Sequence, residues 1–148
     1  MSRPVRLLAI GLGILAFLAV SAVLARWLST ENAERDAIFD LLRAQARGDA
    51  AAMLARLPGC SARPGCRASV QSNATRLRMP GDLKILTSTS HTAYTLTGAT
   101  GRTRVAWKVP SHLPVVQCVL VRRTGNVLSG LSVTLLDLGP PIPGTSEC

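Results

Sequence analysis

The side chains of this chain that could support covalent chemistry begin with four cysteines. They lie at Cys60, Cys66, Cys118 and Cys148. An even number of cysteines in an oxidising compartment predicts disulfides, and the sequence alone does not choose among the three pairings. We favour a Cys60–Cys66 disulfide that closes a local loop. The remaining pair, Cys118–Cys148, would then hold the tail on a strand. The alternative is a zinc site that includes His91 or His112, but the spacing of Cys60 and Cys66 is looser than the about two to four residues of common zinc sites.

Side chains suited to acid–base chemistry are few. The candidates are two carboxylates, two histidines and one tyrosine: Asp40, Asp82, His91, Tyr94 and His112. His91 lies at a predicted turn and His112 lies between two prolines, which is typical of exposed loop residues. The sequence contains no Ser-His-Asp order, paired-carboxylate spacing or phosphate-binding glycine loop. We therefore predict no catalytic residue, no metal ion and no cofactor.

An apolar run from Leu7 to Ala25 precedes all of these residues. As a helix it would span about 28 Å, close to the hydrocarbon thickness of a bilayer. Arg3 and Arg6 precede the run, and this charge bias favours a cytoplasmic amino terminus. We predict that residues 1–28 are a cytoplasmic stub and signal-anchor, with the lipid bilayer as the partner of residues 7–25. The alternative is secretion after signal cleavage near Ala25, although a signal h-region usually has about 7–15 residues.

The chain is strongly basic, with 17 Lys and Arg residues against 8 Asp and Glu residues. A nucleic-acid binder concentrates its charge and interleaves aromatic residues, whereas here the charge is scattered and aromatic residues make up 3% of the chain. We therefore exclude nucleic acid as a partner. The alanine- and arginine-rich composition is typical of bacterial proteins. One candidate basic face on the sheet remains: Arg102, Arg104, Lys108, Arg122 and Arg123.

Residues 29–148 are predicted to form one exported domain that opens with helices. Apolar residues recur at helical spacing over 31–47, with Thr30 and its neighbour Ser29 as capping residues and Gly48 as the end. Asp49 is expected to cap a second helix over 50–57. A short third helix is expected around 70–77.

The apolar period changes to two after Gly81, which predicts strands. The predicted strands are 83–89, 92–97, 102–109, 115–123 and 127–138. Thr103, Val105 and Trp107 are expected on one face, opposite the arginines of the same strand. The tail from residue 139 is rich in proline and is predicted to be irregular. The fold class is α+β, with two or three helices packed on a curved antiparallel sheet of four or five strands.

This order of elements resembles the NTF2-like, cystatin-like superfamily. Its members often open with a helix, a Gly-Asp break and a short alanine-rich helix before a curved sheet. The matching residues here run from Ala37-Ile38-Phe39-Asp40 through Gly48-Asp49 to Met53. The resemblance implies a cone with a pocket between sheet and helix, for which the candidate residues are Asp40, Tyr94 and Trp107.

Together these features predict a membrane-tethered extracytoplasmic domain without catalytic activity. Its expected partner is a protein of the cell envelope or a small apolar ligand. One alternative is a small hydrolase or isomerase that uses Asp40 and Tyr94 in an NTF2-like pocket. The other is a module that binds anionic lipid or cell wall through the candidate basic face. The sequence does not predict an oligomeric state.

Overall fold

The structure is a computed structural model that describes residues 3–92, 98–126 and 130–148. It begins with a single helix, α1, over Arg3–Arg47. The predicted helix start at Ser29 and Thr30 is wrong, because α1 continues through both residues. Nothing between Arg26 and Glu31 breaks a helix, and the Thr30 hydroxyl donates to the Arg26 carbonyl one turn back instead of capping a new helix.

Gly48 ends α1, as the sequence predicts. Its φ of 76° lies in the left-handed region that glycine adopts without strain. The Gly48 amide donates to the Gln45 carbonyl, and the Asp49 amide donates to the Ala44 carbonyl, which together form a Schellman motif. The second helix, α2, covers Ala50–Ala55, and the Asp49 carboxylate accepts a hydrogen bond from the Ala52 amide at its start. The predicted cap is therefore confirmed, although α2 is shorter than expected.

A third helix, α3, covers Cys66–Arg76 and follows a short 3₁₀ turn at Cys60–Ala62. Val70 and Ala74 are buried on one side of α3, which agrees with the spacing that predicted this helix.

The residues that the structure describes then form four strands: β1 over Lys84–Ser90, β2 over Gly98–Lys108, β3 over Val115–Asn126 and β4 over Gly130–Ile142. Each pairs antiparallel with the next, and they form one open sheet in the order β1-β2-β3-β4. The fold is therefore α+β, with α1 leading into the domain. The predicted strand over 92–97 lies mostly outside the described residues, as does the start of the strand predicted over 127–138.

The expectation of an irregular tail from residue 139 is wrong, because β4 continues through Ile142. Pro141 lies opposite Gln117 in the β3–β4 ladder. β4 is the outer strand on its side of the sheet, and proline is tolerated there because its missing N–H is not needed for a ladder. The irregular tail begins after Ile142.

The core lies between the sheet and the carboxyl-terminal half of α1. Ile38, Leu41 and Leu42 on α1 and Val105 and Trp107 on β2 have no exposed surface. The predicted alternation of β2 is confirmed, since its odd-numbered residues from 103 to 107 are buried and Arg102 on the other face is exposed. By contrast, side chains of the apolar run remain outside the domain, and Leu7 and Phe17 are 71% and 70% exposed.

Candidate functional site

All four cysteines form disulfides, and the favoured pairing is confirmed. Cys60 and Cys66 have Cα atoms 5.4 Å apart, and Cys118 and Cys148 have Cα atoms 5.7 Å apart. Since no cysteine is free, none can supply a thiolate to a metal ion. The described residues contain no group of three or more His, Cys, Asp or Glu side chains placed to hold a metal ion.

The tail that carries Cys148 lies across the sheet face that points away from α1. Cys118 on β3 holds its end, and Arg104 on β2 donates to the carbonyls of Ser146 and Gly144. Arg104 is therefore committed to a contact within the chain. Both anchor points lie opposite one another in the β2–β3 ladder, so the tail is fixed to the centre of this face.

The structure places four of the five residues of the candidate basic face on the outer face of two neighbouring strands: Arg102, Arg104 and Lys108 on β2 and Arg122 on β3. Arg123 lies on the α1 side of the sheet and is 3% exposed, so its inclusion in this face is wrong. The physical reason is the strand period: Arg122 and Arg123 are neighbours on β3, and their side chains must point to opposite faces. Arg102 and Arg122 remain exposed on the outer face, and Lys108 lies at the far end of β2.

The candidate pocket of Asp40, Tyr94 and Trp107 is not assembled as expected. Asp40 is exposed and lines a groove with Arg56 and Val133, whereas Trp107 is fully buried in the core. Asp40 lies about 100° from Leu41 around the helix, on the flank of α1 and outside the stripe that faces the sheet. Tyr94 lies outside the described residues. Asp82, His91 and His112 are exposed.

A buried ion pair joins α1 to the sheet, and no local pattern in the sequence predicts it. Glu34 accepts hydrogen bonds from Nε and Nη2 of Arg123, at 2.8 and 2.6 Å, and from the Thr103 hydroxyl. Arg123 Nη2 also donates to the Ser90 hydroxyl at 3.2 Å. Both charged side chains are only 4% exposed. Low exposure strengthens the attraction and makes the loss of either partner costly.

A second buried polar contact lies three turns further along α1. Gln45 donates to the side-chain oxygen of Gln117, which also accepts from the Trp107 indole N–H, both at 2.9 Å. The Gln117 amide donates to the Gly139 carbonyl on β4, also at 2.9 Å. These contacts fix the register of α1 on three strands, because each polar group would lose its partner if the helix shifted.

The two contacts also give the strand directions relative to α1. Glu34 lies beside Thr103, and Gln45 is linked to Trp107 through Gln117, so β2 runs away from the apolar end of α1. β1 is antiparallel to β2 and therefore runs toward that end.

A polar groove opens between α1 and β1 beside the buried ion pair. Its volume is about 320 Å³. Its walls are formed by Glu31, Asn32, Glu34 and Arg35 of α1, by Leu86, Thr87, Ser88 and Ser90 of β1, and by Arg123. Glu31, Asn32 and Arg35 are exposed, as are all four β1 residues. One wall of the groove therefore carries both acidic and basic side chains of α1, and the other wall is the β1 strand.

No protein-family model, no curated protein and no solved structure matches the chain. The class of the protein therefore rests on its geometry. Among the described residues, one helix is long and apolar enough to cross a membrane, and its apolar window is wholly unburied. With the two disulfides, this fits a single-pass membrane protein whose α+β domain lies on an oxidising side.

Proposed function

We propose that this protein is a membrane-tethered, extracytoplasmic binding module whose NTF2-like domain holds a protein partner close to the bilayer, without catalysis. The single observation that carries this proposal is the continuity of α1 from the apolar run into the domain core. A flexible linker would let the domain diffuse around its anchor. A continuous helix holds one surface of the domain at a fixed height and orientation above the membrane.

The proposed orientation places the amino terminus in the cytoplasm and the domain outside. Arg3 and Arg6 before the apolar run support it through the positive-inside rule. The two disulfides support it independently, since cytosolic thiols are kept reduced. Retention of the anchor is supported by α1 itself, which continues through Ala25 without a break.

A protein partner is favoured over a small apolar ligand. In an NTF2-like cone the ligand would occupy the space between helix and sheet, but Trp107, Leu41 and Leu42 lie there with no exposed surface. The NTF2-like assignment itself is supported by the Gly48-Asp49 break between α1 and α2 and by the antiparallel sheet that follows.

The distance between the apolar run and the buried ion pair follows from the rise of the helix. Glu34 follows Ala25 by nine helical residues, so the ion pair that fixes the sheet lies about 14 Å beyond the apolar run. Confinement to this layer raises the effective concentration of the domain for any partner in the same membrane. This gives the anchor a role in affinity as well as in location.

In-cell cross-linking of the full-length protein tests the proposal. We expect one protein to co-purify with the full chain after cross-linking and detergent extraction. The matched control joins residues 1–28 to an unrelated soluble domain and should not recover it. Equal recovery by both proteins, or no cross-linked protein with the full chain, would overturn the proposed binding function.

Topology is tested separately on the same cells. After reduction, a membrane-impermeant maleimide added from outside should label the cysteines of the full-length protein, because all four lie in the domain. Labelling only after the membrane is opened would place the domain in the cytoplasm and refute the proposed orientation.

A further inference from the structure

The two outer strands of the sheet differ in how well they are protected against pairing with another chain. β4 carries Pro140 and Pro141, and its pairing with β3 has two register irregularities. Prolines and bulges are the usual protection of a sheet edge. In β1 the stretch Thr87–Ser90 has no proline, no charge and no irregularity, and it follows a shift in the β1–β2 register between Ile85 and Thr87. This edge is the one suited to pairing.

The phase of the β1–β2 ladder shows which backbone groups this edge presents. The His91 amide donates to the Arg102 carbonyl at 2.9 Å, which makes residues 91 and 102 a hydrogen-bonded pair. Hydrogen-bonded and non-bonded pairs alternate along an antiparallel ladder. Thr89 therefore points its N–H and C=O toward β2, and Ser88 and Ser90 point theirs away from β2. No other strand of the described residues pairs with β1 on that side.

α1 forms a wall beside this open edge. The polar groove of about 320 Å³ described above lies between them, with Ser88 and Ser90 on one side and Asn32 and Arg35 on the other. A chain that added to β1 would direct alternate side chains toward α1. Because the wall carries both Glu31 and Arg35, it is complementary to a polar segment and not to an apolar or uniformly charged one.

The β1 strand of a second copy cannot pair antiparallel with this edge. β1 runs toward the apolar end of α1, so antiparallel pairing of two β1 strands would direct the two anchors in opposite directions. Two copies inserted in one membrane with the same topology cannot meet this condition. A segment of a different protein that pairs antiparallel with β1 would run away from the membrane, as β2 does. The added segment would lie level with residues 31–35 of α1, about 9–15 Å beyond the end of the apolar run.

We propose that the edge of β1 and the facing wall of α1 bind an extended polar segment of a second membrane-anchored protein, which adds as a fifth strand antiparallel to β1 just outside the bilayer. This inference rests on the proposed function and names the place and mode of binding. Backbone hydrogen bonds at Ser88 and Ser90 hold the segment, and the polar wall of α1 selects its side chains.

A pair of substitutions at Ser88 separates backbone pairing from side-chain contact. Ser88→Pro removes an N–H that the β1–β2 ladder does not use, whereas Ser88→Ala keeps the N–H and removes only the hydroxyl. A photo-cross-linking residue is placed at Asn32 of the full-length protein in native membranes, where it attaches covalently to any protein segment bound in the groove. We expect Ser88→Pro to lower the yield of the cross-linked partner about tenfold, and Ser88→Ala to leave it nearly unchanged. The cross-linked partner peptide should lie next to a membrane-spanning segment.

The outcomes separate the two proposals. If the full chain captures a partner equally with Ser88→Pro and Ser88→Ala, or if the adduct is a second copy of this chain, strand addition is refuted and the binding function stands. If no partner is captured from any position, the binding function itself fails. Should Ser88→Pro not fold, amide hydrogen exchange of the wild-type complex decides. The partner must slow exchange at Ser88 and Ser90 more than at Thr89, and equal protection at all three would refute the inference.

Discussion

Replacement of Glu34 by alanine tests whether the buried ion pair holds α1 on the sheet. The substitution removes a carboxylate that accepts two hydrogen bonds from Arg123 and one from Thr103. With both charged side chains 4% exposed, the Arg123 guanidinium would remain in a poorly solvated site without this partner. Removing one member of a buried pair costs about 3–5 kcal/mol. That is a large share of the about 5–15 kcal/mol by which domains are stable.

The assay is urea denaturation of the full-length protein in detergent micelles, followed by the near-ultraviolet circular dichroism of the packed aromatic side chains. We expect Glu34→Ala to lower the free energy of unfolding by about 3–5 kcal/mol. Asp36→Ala is the matched control, because Asp36 is an exposed carboxylate on the same helix. It should change the free energy of unfolding by less than about 0.5 kcal/mol.

A double variant distinguishes a lost ion pair from a lost packing contact. Glu34→Leu combined with Arg123→Leu leaves no unpaired charge, and such replacements of buried pairs are often neutral or stabilising. We expect the double variant to recover most of the stability that Glu34→Ala loses. The reasoning is refuted if Glu34→Ala loses less than about 1 kcal/mol, which is the range of an exposed pair. A double variant as unstable as the single one would refute it too.

Three further substitutions test the other contacts that shape the domain. Gly48→Ala should destabilise by about 1–2 kcal/mol in the same denaturation assay, because the residue has a φ of 76°. Cys148→Ser opens the disulfide to Cys118 and should cost about 2–4 kcal/mol; limited proteolysis should then cleave the tail first. Gln117→Leu leaves the buried Trp107 indole N–H without its acceptor and should cost about 1–3 kcal/mol, seen as a lower denaturation midpoint.

Local signals in the sequence predicted the parts of the fold that depend on neighbouring residues. Gly48 followed by Asp49 ends one helix and caps the next, and both roles involve only groups within a few adjacent residues. The alternation around Trp107 predicted β2 because a strand with one buried face must repeat every two residues. The favoured cysteine pairing was confirmed for a related reason, since Cys60 and Cys66 are close in sequence.

Contacts between distant residues were not predictable in this way. Glu34 and Arg123 are separated by 89 positions. Each is a charged residue, and charged residues usually lie at the solvent-exposed surface. Their pairing depends on the register of α1 against β3, which no local pattern encodes. The sequence nevertheless indicates which face of β3 Arg123 occupies. Val119 and Val121 precede it at alternate positions, and both are fully buried. That spacing places Arg123 on the buried face and could have separated it from Arg122.

The position of Asp40 shows why it does not share a pocket with Trp107. The resemblance to a cone-shaped fold supplied the idea of a cavity, but a helix presents only one stripe to a sheet. In α1 that stripe contains Glu34, Ile38, Leu41 and Gln45, all buried, and Asp40 lies outside it. Beside that stripe the space between α1 and the sheet is filled by core side chains such as Ile38, Leu41 and Trp107.

The same stripe fixes how the apolar end of α1 is oriented relative to the sheet. Glu34 and Gln45 are polar residues within an otherwise apolar contact, and each is satisfied only at one rotation and one height of α1 on the sheet. Apolar contacts alone would tolerate small shifts of the helix, whereas two separated polar contacts do not. Because α1 is continuous with the apolar run, the rotation fixed at Glu34 is also the rotation of the segment of membrane-spanning length. The open edge of β1 therefore has a fixed direction relative to the faces of the apolar segment and a fixed distance from it, which the proposed strand addition by a membrane-anchored partner would require.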